Sequence, residues 1–197
     1  MKRPIVALNI LILLLFSLPV YAGPPLDAIQ ANVNKVLDVL RDPKLKVASA
    51  KEIKKEKLRL IYDRMFDDVE LAKRTLARHW NSMDVAQRKE FVLLFQQVLE
   101  KAYIDKILAY TNEKIVFDRE TMVSETQAEI QTVIVTSSKE IPIAYRVILK
   151  NGVWKVYDIV IENVSLVLNY RTQFNDILAK NTPDALIEIL RKKVKGQ

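Results

Sequence analysis

The chain has 197 residues, half of them hydrophobic, with 31 Lys and Arg against 24 Asp and Glu, one histidine, three glycines and no cysteine. No disulfide can form, and a typical zinc site lacks donors when one histidine and no thiolate are present. The three glycines, Gly23, Gly152 and Gly196, are too far apart for a P-loop or a dinucleotide fingerprint, and none sits centrally in a calcium loop of the EF-hand type.

Residues 1–22 read as a cleavable export signal. Lys2 and Arg3 give a basic start, Ile5 to Leu18 form an apolar run interrupted only by Asn9 and Ser17, and Pro19 breaks it. Val20-Tyr21-Ala22 then places compact residues where a signal peptidase cuts. The run is shorter than the roughly 20 residues of a membrane span, and an uncleaved anchor is the alternative. Removing 22 of 197 residues leaves 175, starting near Gly23, and loss of Lys2 and Arg3 lowers the net charge from +7 to +5. With no cysteine behind the signal to carry a lipid anchor, the mature protein is expected to be soluble. Export takes nucleic acid away as a partner, so the surplus charge suits anionic head groups or an acidic protein surface. A chain of this length buries roughly 70 % of its unfolded surface in one core, and a single domain is expected over residues 23–197.

The first half reads helical. Leu26, Ile29, Val33, Val36, Leu37 and Leu40 recur at helical spacing up to Asp42-Pro43. Ser49 with Glu52 predicts the start of a second helix running to about Met65, and Asp67 with Glu70 and Asp84 with Gln87 predict two more. The helix after Asp84 is the longest, reaching about Tyr110. Phe91, Val92, Leu94, Phe95, Val98, Leu99, Ala102 and Tyr103 leave it only a narrow polar stripe, more apolar surface than one core-facing side requires.

After Asn112 the period changes to two. Four strands are predicted at about Lys114 to Val123, Ala128 to Ser137, Glu140 to Leu149 and Val153 to Ile161, joined by short polar turns. Asn151-Gly152 supplies the positive-φ pair of a tight hairpin, and consecutive hairpins give an antiparallel meander. Ser165 and Thr182-Pro183 then open two closing helices. The fold class is therefore α+β. Straight alternation along the fourth strand puts Trp154, Val156 and Val160 on one face and Tyr157, Ile159 and Ile161 on the other. A sheet with one wet face would be polar at every second position, so the last two strands are expected to be covered on both sides.

Catalytic chemistry has two candidates. His79 is the only histidine, near a helix end beside Trp80, and reads as a cap or hydrogen-bonded side chain; no serine has the glycine-flanked setting of a nucleophile elbow. Asp158 interrupts an apolar strand and is either a buried base or the partner of a neighbouring Lys or Arg. Lys51, Lys54, Lys55, Lys57 and Arg59, and Arg191, Lys192, Lys193 and Lys195, are solvated faces or contacts for a membrane or partner.

Several segments together resemble the MlaC family, also called the toluene-tolerance or Ttg-type auxiliary transport proteins. They are Phe66-Asp67-Asp68-Val69-Glu70-Leu71-Ala72-Lys73-Arg74-Thr75-Leu76, Arg78-His79-Trp80, Gln87-Arg88-Lys89-Glu90-Phe91, Lys139-Glu140-Ile141-Pro142-Ile143-Ala144-Tyr145-Arg146, Trp154-Lys155-Val156-Tyr157-Asp158, and Val164-Ser165-Leu166-Val167 with Tyr170-Arg171-Thr172-Gln173-Phe174. The resemblance covers nearly the whole mature chain and is weakest from Asp42 to Ile53. It implies an NTF2-like curved antiparallel sheet with packed helices around an acyl-chain cavity, and no catalytic motif. It further implies a soluble periplasmic protein of a Gram-negative bacterium that shuttles phospholipid and maintains outer-membrane lipid asymmetry. The partners it implies are an inner-membrane ABC-transporter complex and an outer-membrane lipoprotein/porin complex, with transient membrane proximity, no cofactor beyond bound phospholipid, no metal and a monomeric carrier.

The residues allow such a role on their own terms. Hiding roughly 30 methylenes at about 0.8 kcal/mol each is a gross gain of about 25 kcal/mol, so release into water would be slow and delivery needs a docked acceptor. The residues expected to line the pocket are Val98, Ala102, Tyr103, Tyr145, Val147, Trp154, Val156, Leu166, Val167 and Tyr170, and Val156→Glu is expected to lose lipid while keeping secondary structure. A small-molecule enzyme on the same fold, using Asp158, and a protein-binding adaptor with a filled core are the alternatives.

Overall fold

The computed structural model describes residues 24–110 and 113–196; the export segment expected at residues 1–22 lies outside the described residues. Six α-helices are described: α1 (Pro25–Arg41), α2 (Lys51–Met65), α3 (Asp68–Leu76), α4 (Val85–Leu108), α5 (Leu166–Leu178) and α6 (Pro183–Lys195). The sheet is a five-stranded antiparallel meander whose spatial order follows the sequence: β1 (Lys114–Ser124), β2 (Gln127–Val135), β3 (Glu140–Lys150), β4 (Val153–Ile161) and β5 (Val164–Ser165). The architecture is α+β, with one strand more than the sequence suggested.

Helix starts are set by side-chain caps. The Asp84 carboxylate accepts from the Gln87 N–H at 2.8 Å and the Gln87 amide oxygen accepts from the Asp84 N–H at 3.0 Å, a complete capping box for α4. Asp67, Ser165 and Thr182 accept in the same way at the starts of α3, α5 and α6. Ser49 does not. It lies within a short 3-10 turn (Ala48–Ala50), α2 starts after it at Lys51 without a side-chain cap, and Glu52 pairs with Lys55 at 3.1 Å. A preceding helical turn satisfies the backbone there, so the serine has no orphan N–H to serve.

Two apolar clusters form the interior. In the helical cluster Phe91, Phe95, Val98 and Leu99 of α4 meet Leu71, Ala72 and Leu76 of α3, Val167, Tyr170 and Phe174 of α5, and Leu186 and Leu190 of α6. This contact with three other helices accounts for the wide apolar surface of α4. In the second cluster Ile29, Val33 and Leu37 of α1 lie on Ala128, Ile130, Val147, Trp154 and Val156 of the sheet. Half-buried Phe66, between α2 and α3, packs against both. It is held there by a parallel bridge to Val156 and by the adjacent Asp67 N–H, which donates to the Val156 carbonyl at 2.9 Å.

β4 does not alternate straight through. Val147 pairs with Val156 but Arg146 pairs with Asp158, so the partner strand carries one extra residue at that point. This bulge returns Ile159 and Ile161, opposite Tyr145 and Ile143, to the face of Trp154 and Val156. The face assignment expected from the sequence is therefore corrected: Ile159 belongs with Trp154, and Asp158 faces the other side with Arg146.

Candidate functional site

The face of the sheet that carries Val147 and Val156 is graded along its length. At one end Ala128, Ile130, Val147, Trp154 and Val156 are buried beneath α1. At the other end Ile134 pairs with Ile141, Ile143 with Ile161, and Tyr145 with Ile159, and all six are only half-buried. Ile115 and Phe117 of β1 continue the same surface beside Ile134 and Thr132. Cross-strand neighbours stand about 4.5–5.5 Å apart, so these side chains form one continuous aliphatic floor. Tyr145 borders it; burial pushes its hydroxyl up to about 12, against the opposing pull of its hydrogen bond with Thr132. It therefore stays neutral at physiological pH; the carboxylate in the same cross-strand row, Glu120 opposite Ile130, accepts from the Leu26 N–H of α1 at 2.7 Å. A half-covered aliphatic surface of this kind is suited to an apolar ligand.

The ten residues expected to line a pocket fall in different places. Tyr145, Val147, Trp154 and Val156 belong to the sheet cluster, with Tyr145 bordering the open floor. Val98, Tyr103, Val167 and Tyr170 belong to the helical cluster, where the Phe95 ring meets Tyr170 and Phe174 edge-on at 5.0 and 5.3 Å. Leu166 is buried at the start of α5, and Ala102 is exposed on the outer side of α4. The structure thus does not gather them into one site. Val156 is fully buried, so Val156→Glu would bury an unpaired charge and unfold the chain rather than empty a pocket. Ile159 and Ile161 fall outside the expected set because straight alternation puts them opposite Trp154 and Val156.

Asp158 is 2 % exposed and fully engaged. One oxygen accepts from the Ser165 hydroxyl at 2.6 Å and from Arg146 Nη1 at 3.2 Å, and the other from the Val167 N–H at 3.0 Å. Arg146 Nε also donates to Glu129 at 3.0 Å, so Glu129, Arg146 and Asp158, register partners on β2, β3 and β4, form a cross-strand charge ladder. Of the two readings of Asp158, the structure supports the paired one. The network ties the sheet to the first turn of α5 and commits both carboxylate oxygens to structural partners. His79 Nε2 accepts from Arg78 Nε at 3.3 Å, and among the described residues the imidazole meets no serine or carboxylate, Ser82 Oγ donating instead to the His79 carbonyl at 2.8 Å; it lies in the 3-10 turn Ala77–Ser82 beside a half-buried Trp80. Among the described residues no cluster of three or more His, Asp or Glu is placed to hold a metal ion, and no helix is long and apolar enough to cross a membrane.

Recesses open on the surface of the described residues, two of them beside charged side chains. One of about 400 Å³ lies between Phe66, Val69, Val92 and the β3–β4 hairpin. Beside it Asp67 receives Lys150 at 2.6 Å; burial would raise the carboxyl, but the Lys150 ammonium and the Glu70 N–H outweigh it and hold it below its usual range. The other, about 330 Å³, lies on the charge-ladder side of the sheet and includes Arg74, Arg146, Arg171 and Leu168. Of the ten expected residues only Val167 lines either recess.

Comparisons with known proteins agree with this architecture. A profile of the MlaC protein family matches residues 30–192. The chain is 29% identical over 119 residues to the intermembrane phospholipid transport system binding protein MlaC of Haemophilus influenzae, a match covering 58% of this chain and 56% of that protein. The match thus spans little more than half the length of that relative. The structure of a phospholipid-binding protein from Ralstonia solanacearum in complex with a phospholipid superposes with a TM-score of 0.78 at 19% identity, covering 88% of this chain and 98% of that one. With the profile spanning most of its length, this chain belongs to the MlaC family.

Proposed function

We propose that this protein is a periplasmic phospholipid carrier that holds acyl chains against the isoleucine end of its sheet. The observation that carries the reading is the half-buried floor of Ile134, Ile141, Ile143, Ile159 and Ile161, an aliphatic surface that a sheet facing only water would not present. Membership of the MlaC family, and the phospholipid in the Ralstonia solanacearum structure of the same fold, support it. The residues proposed for contact are Tyr145 and the isoleucines; Val147, Trp154 and Val156, also expected from the sequence, are buried beneath α1 and hold the sheet end of the site in place. Ala102 is exposed, and the helical-core members Val98, Tyr103, Val167 and Tyr170 support the site from behind.

The finer role follows from the magnitude of burial. Two acyl chains gain on the order of 25 kcal/mol from leaving water, so the carrier exchanges cargo while docked, between an inner-membrane transporter complex and an outer-membrane complex, and so helps maintain outer-membrane lipid asymmetry. Mature protein purified without detergent should carry phospholipid at about one per chain by native mass spectrometry. Ile143→Lys puts a charge on a half-exposed position and should empty the carrier while far-UV circular dichroism is unchanged. A lipid-free wild-type protein that takes up none from vesicles would reject the reading.

A further inference from the structure

Across the sheet from the isoleucine floor, the 330 Å³ recess gathers three arginines with different degrees of charge compensation. Arg146 is matched by Glu129 and Asp158. Arg74 pairs with Glu70 at 2.7 Å, and its guanidinium carbon lies over the Tyr157 ring, 3.8 Å from the ring centre. Arg171 donates Nε and Nη2 to the Arg74 carbonyl at 3.0 and 2.6 Å and meets no carboxylate among the described residues. It is a cation already fixed in place, so binding an anion there loses little further side-chain freedom, and a guanidinium fork matches a carboxylate in two bonds.

Val123 at the end of β1 and Leu168 on α5 line the same recess and are 67% and 50% exposed. Arginine and tyrosine beside exposed aliphatic side chains is the composition of an interface centre. The volume lies at the low end of the roughly 300–1,000 Å³ of small-ligand pockets, and the pleat turns Arg146 and Glu129 away from Tyr145, Val147 and Ile130. The recess is therefore separate from the acyl-chain floor and unsuited to a head group whose tails lie there.

We infer that this recess docks an acidic protein segment, its carboxylate on Arg171 and Arg74 and an adjoining aliphatic side chain on Val123 and Leu168. The choice of partner membranes rests on the carrier reading; the docking itself does not depend on cargo. Leu168→Glu is the informative variant. Leu168 is the third residue after the Ser165 cap, its N–H donates to Ser165 Oγ at 3.0 Å, and an acidic residue in this first turn suits the helix dipole, so the variant should fold. It also places a carboxylate against the arginines from inside. Arg171→Gln removes the cation as an independent second variant.

The measurement is co-sedimentation of labelled mature protein with native envelope vesicles from the same bacterium, with protease-stripped vesicles, with carbodiimide-blocked vesicles, and with phosphatidylethanolamine–phosphatidylglycerol liposomes. Lipid load is read in parallel by native mass spectrometry. Wild type should bind native vesicles and lose binding after stripping or carboxylate blocking, and both variants should bind about tenfold or more weakly with unchanged lipid load. Wild-type binding of the variants to native vesicles, equal wild-type binding to stripped vesicles and liposomes, or no wild-type binding at all would overturn the docking surface. Loss of bound lipid in Leu168→Glu would overturn it too, by assigning the recess to cargo. A wild-type protein that docks but carries no lipid defeats only the carrier reading.

Discussion

In the helical half, Phe91, Phe95, Tyr170 and Phe174 hold their rings 5.0 to 5.7 Å apart, every one of them buried. In the sheet half, Ile134, Ile141, Ile143, Ile159 and Ile161 stand side by side and remain half-exposed. The first region is sealed by interlocking aromatic geometry that admits little else. The second is made of β-branched aliphatic side chains without a specific partner geometry, a surface that accepts any chain of methylenes. A carrier that must be stable both empty and full gains from this division. On the proposed reading the closed core holds the fold and the open face changes occupant.

The sharpest way to break the comparison is in the closed core. Phe95→Ala removes a ring that touches three others and should lower stability by about 3–5 kcal/mol in urea unfolding, while the remaining folded molecules keep their lipid load. Lipid lost in proportion to a small stability change would mean that the two regions are one.

Asp158→Asn tests the joint between them. It leaves Arg146 with one acidic partner and weakens the hold on Ser165 and the Val167 N–H. The expected loss is about 2–3 kcal/mol by thermal or urea unfolding, scaled down because Arg146 is partly exposed. Retained stability would show that α5 does not need this anchor.

Acid should reach the sheet before the aromatic core. The Arg146 hydrogen bond, opposed by partial burial, holds the Glu129 carboxyl below its ordinary 4.5, and Asp67 is likewise lowered. Groups depressed in the folded state add stability above their unfolded pKa and lose it as pH falls through the folded one. Melting temperature should therefore decline below about pH 4.5, and Glu129→Gln should flatten that decline. An unchanged slope would remove the ladder from the acid response.

The smallest effect concerns the turn into β5. Glu162 and Asn163 both have positive φ, at 47° and 67°. Asparagine tolerates that region far better than glutamate, and the exposed Lys139–Glu162 pair lost in Glu162→Asn is worth little. The variant should gain roughly 0.5–1 kcal/mol in urea unfolding; a loss would show that Glu162 has a partner role the backbone angle does not reveal.

Much of the frame was legible because it is written in short-range chemistry. Asp84 with Gln87, Ser165 and Thr182 announced their helices through the oxygen that accepts the first N–H groups. Asn151 and Gly152 announced a hairpin, and both indeed adopt positive φ, 51° and 76°. What stayed hidden depends on partners distant in sequence. The β4 bulge exists only in the pairing with β3, and missing it placed Ile159 on the wrong side and dispersed the isoleucine floor. β5 was missed because the Glu162-Asn163 turn lacks a glycine. The separation of Tyr170 and Val98 from Trp154 and Val156 is a matter of which helix meets which layer, which no local period encodes.

The most direct test is photo-crosslinking with a phospholipid bearing a diazirine near the end of an acyl chain, loaded into the mature protein and mapped by peptide mass spectrometry. Label should fall on the peptides of β2, β3 and β4 that contain Ile134, Ile143 and Ile161. Label confined to α4 and α5, around Phe95, Tyr170 and Phe174, would place the acyl chains in the helical core and contradict the assignment of the sheet face.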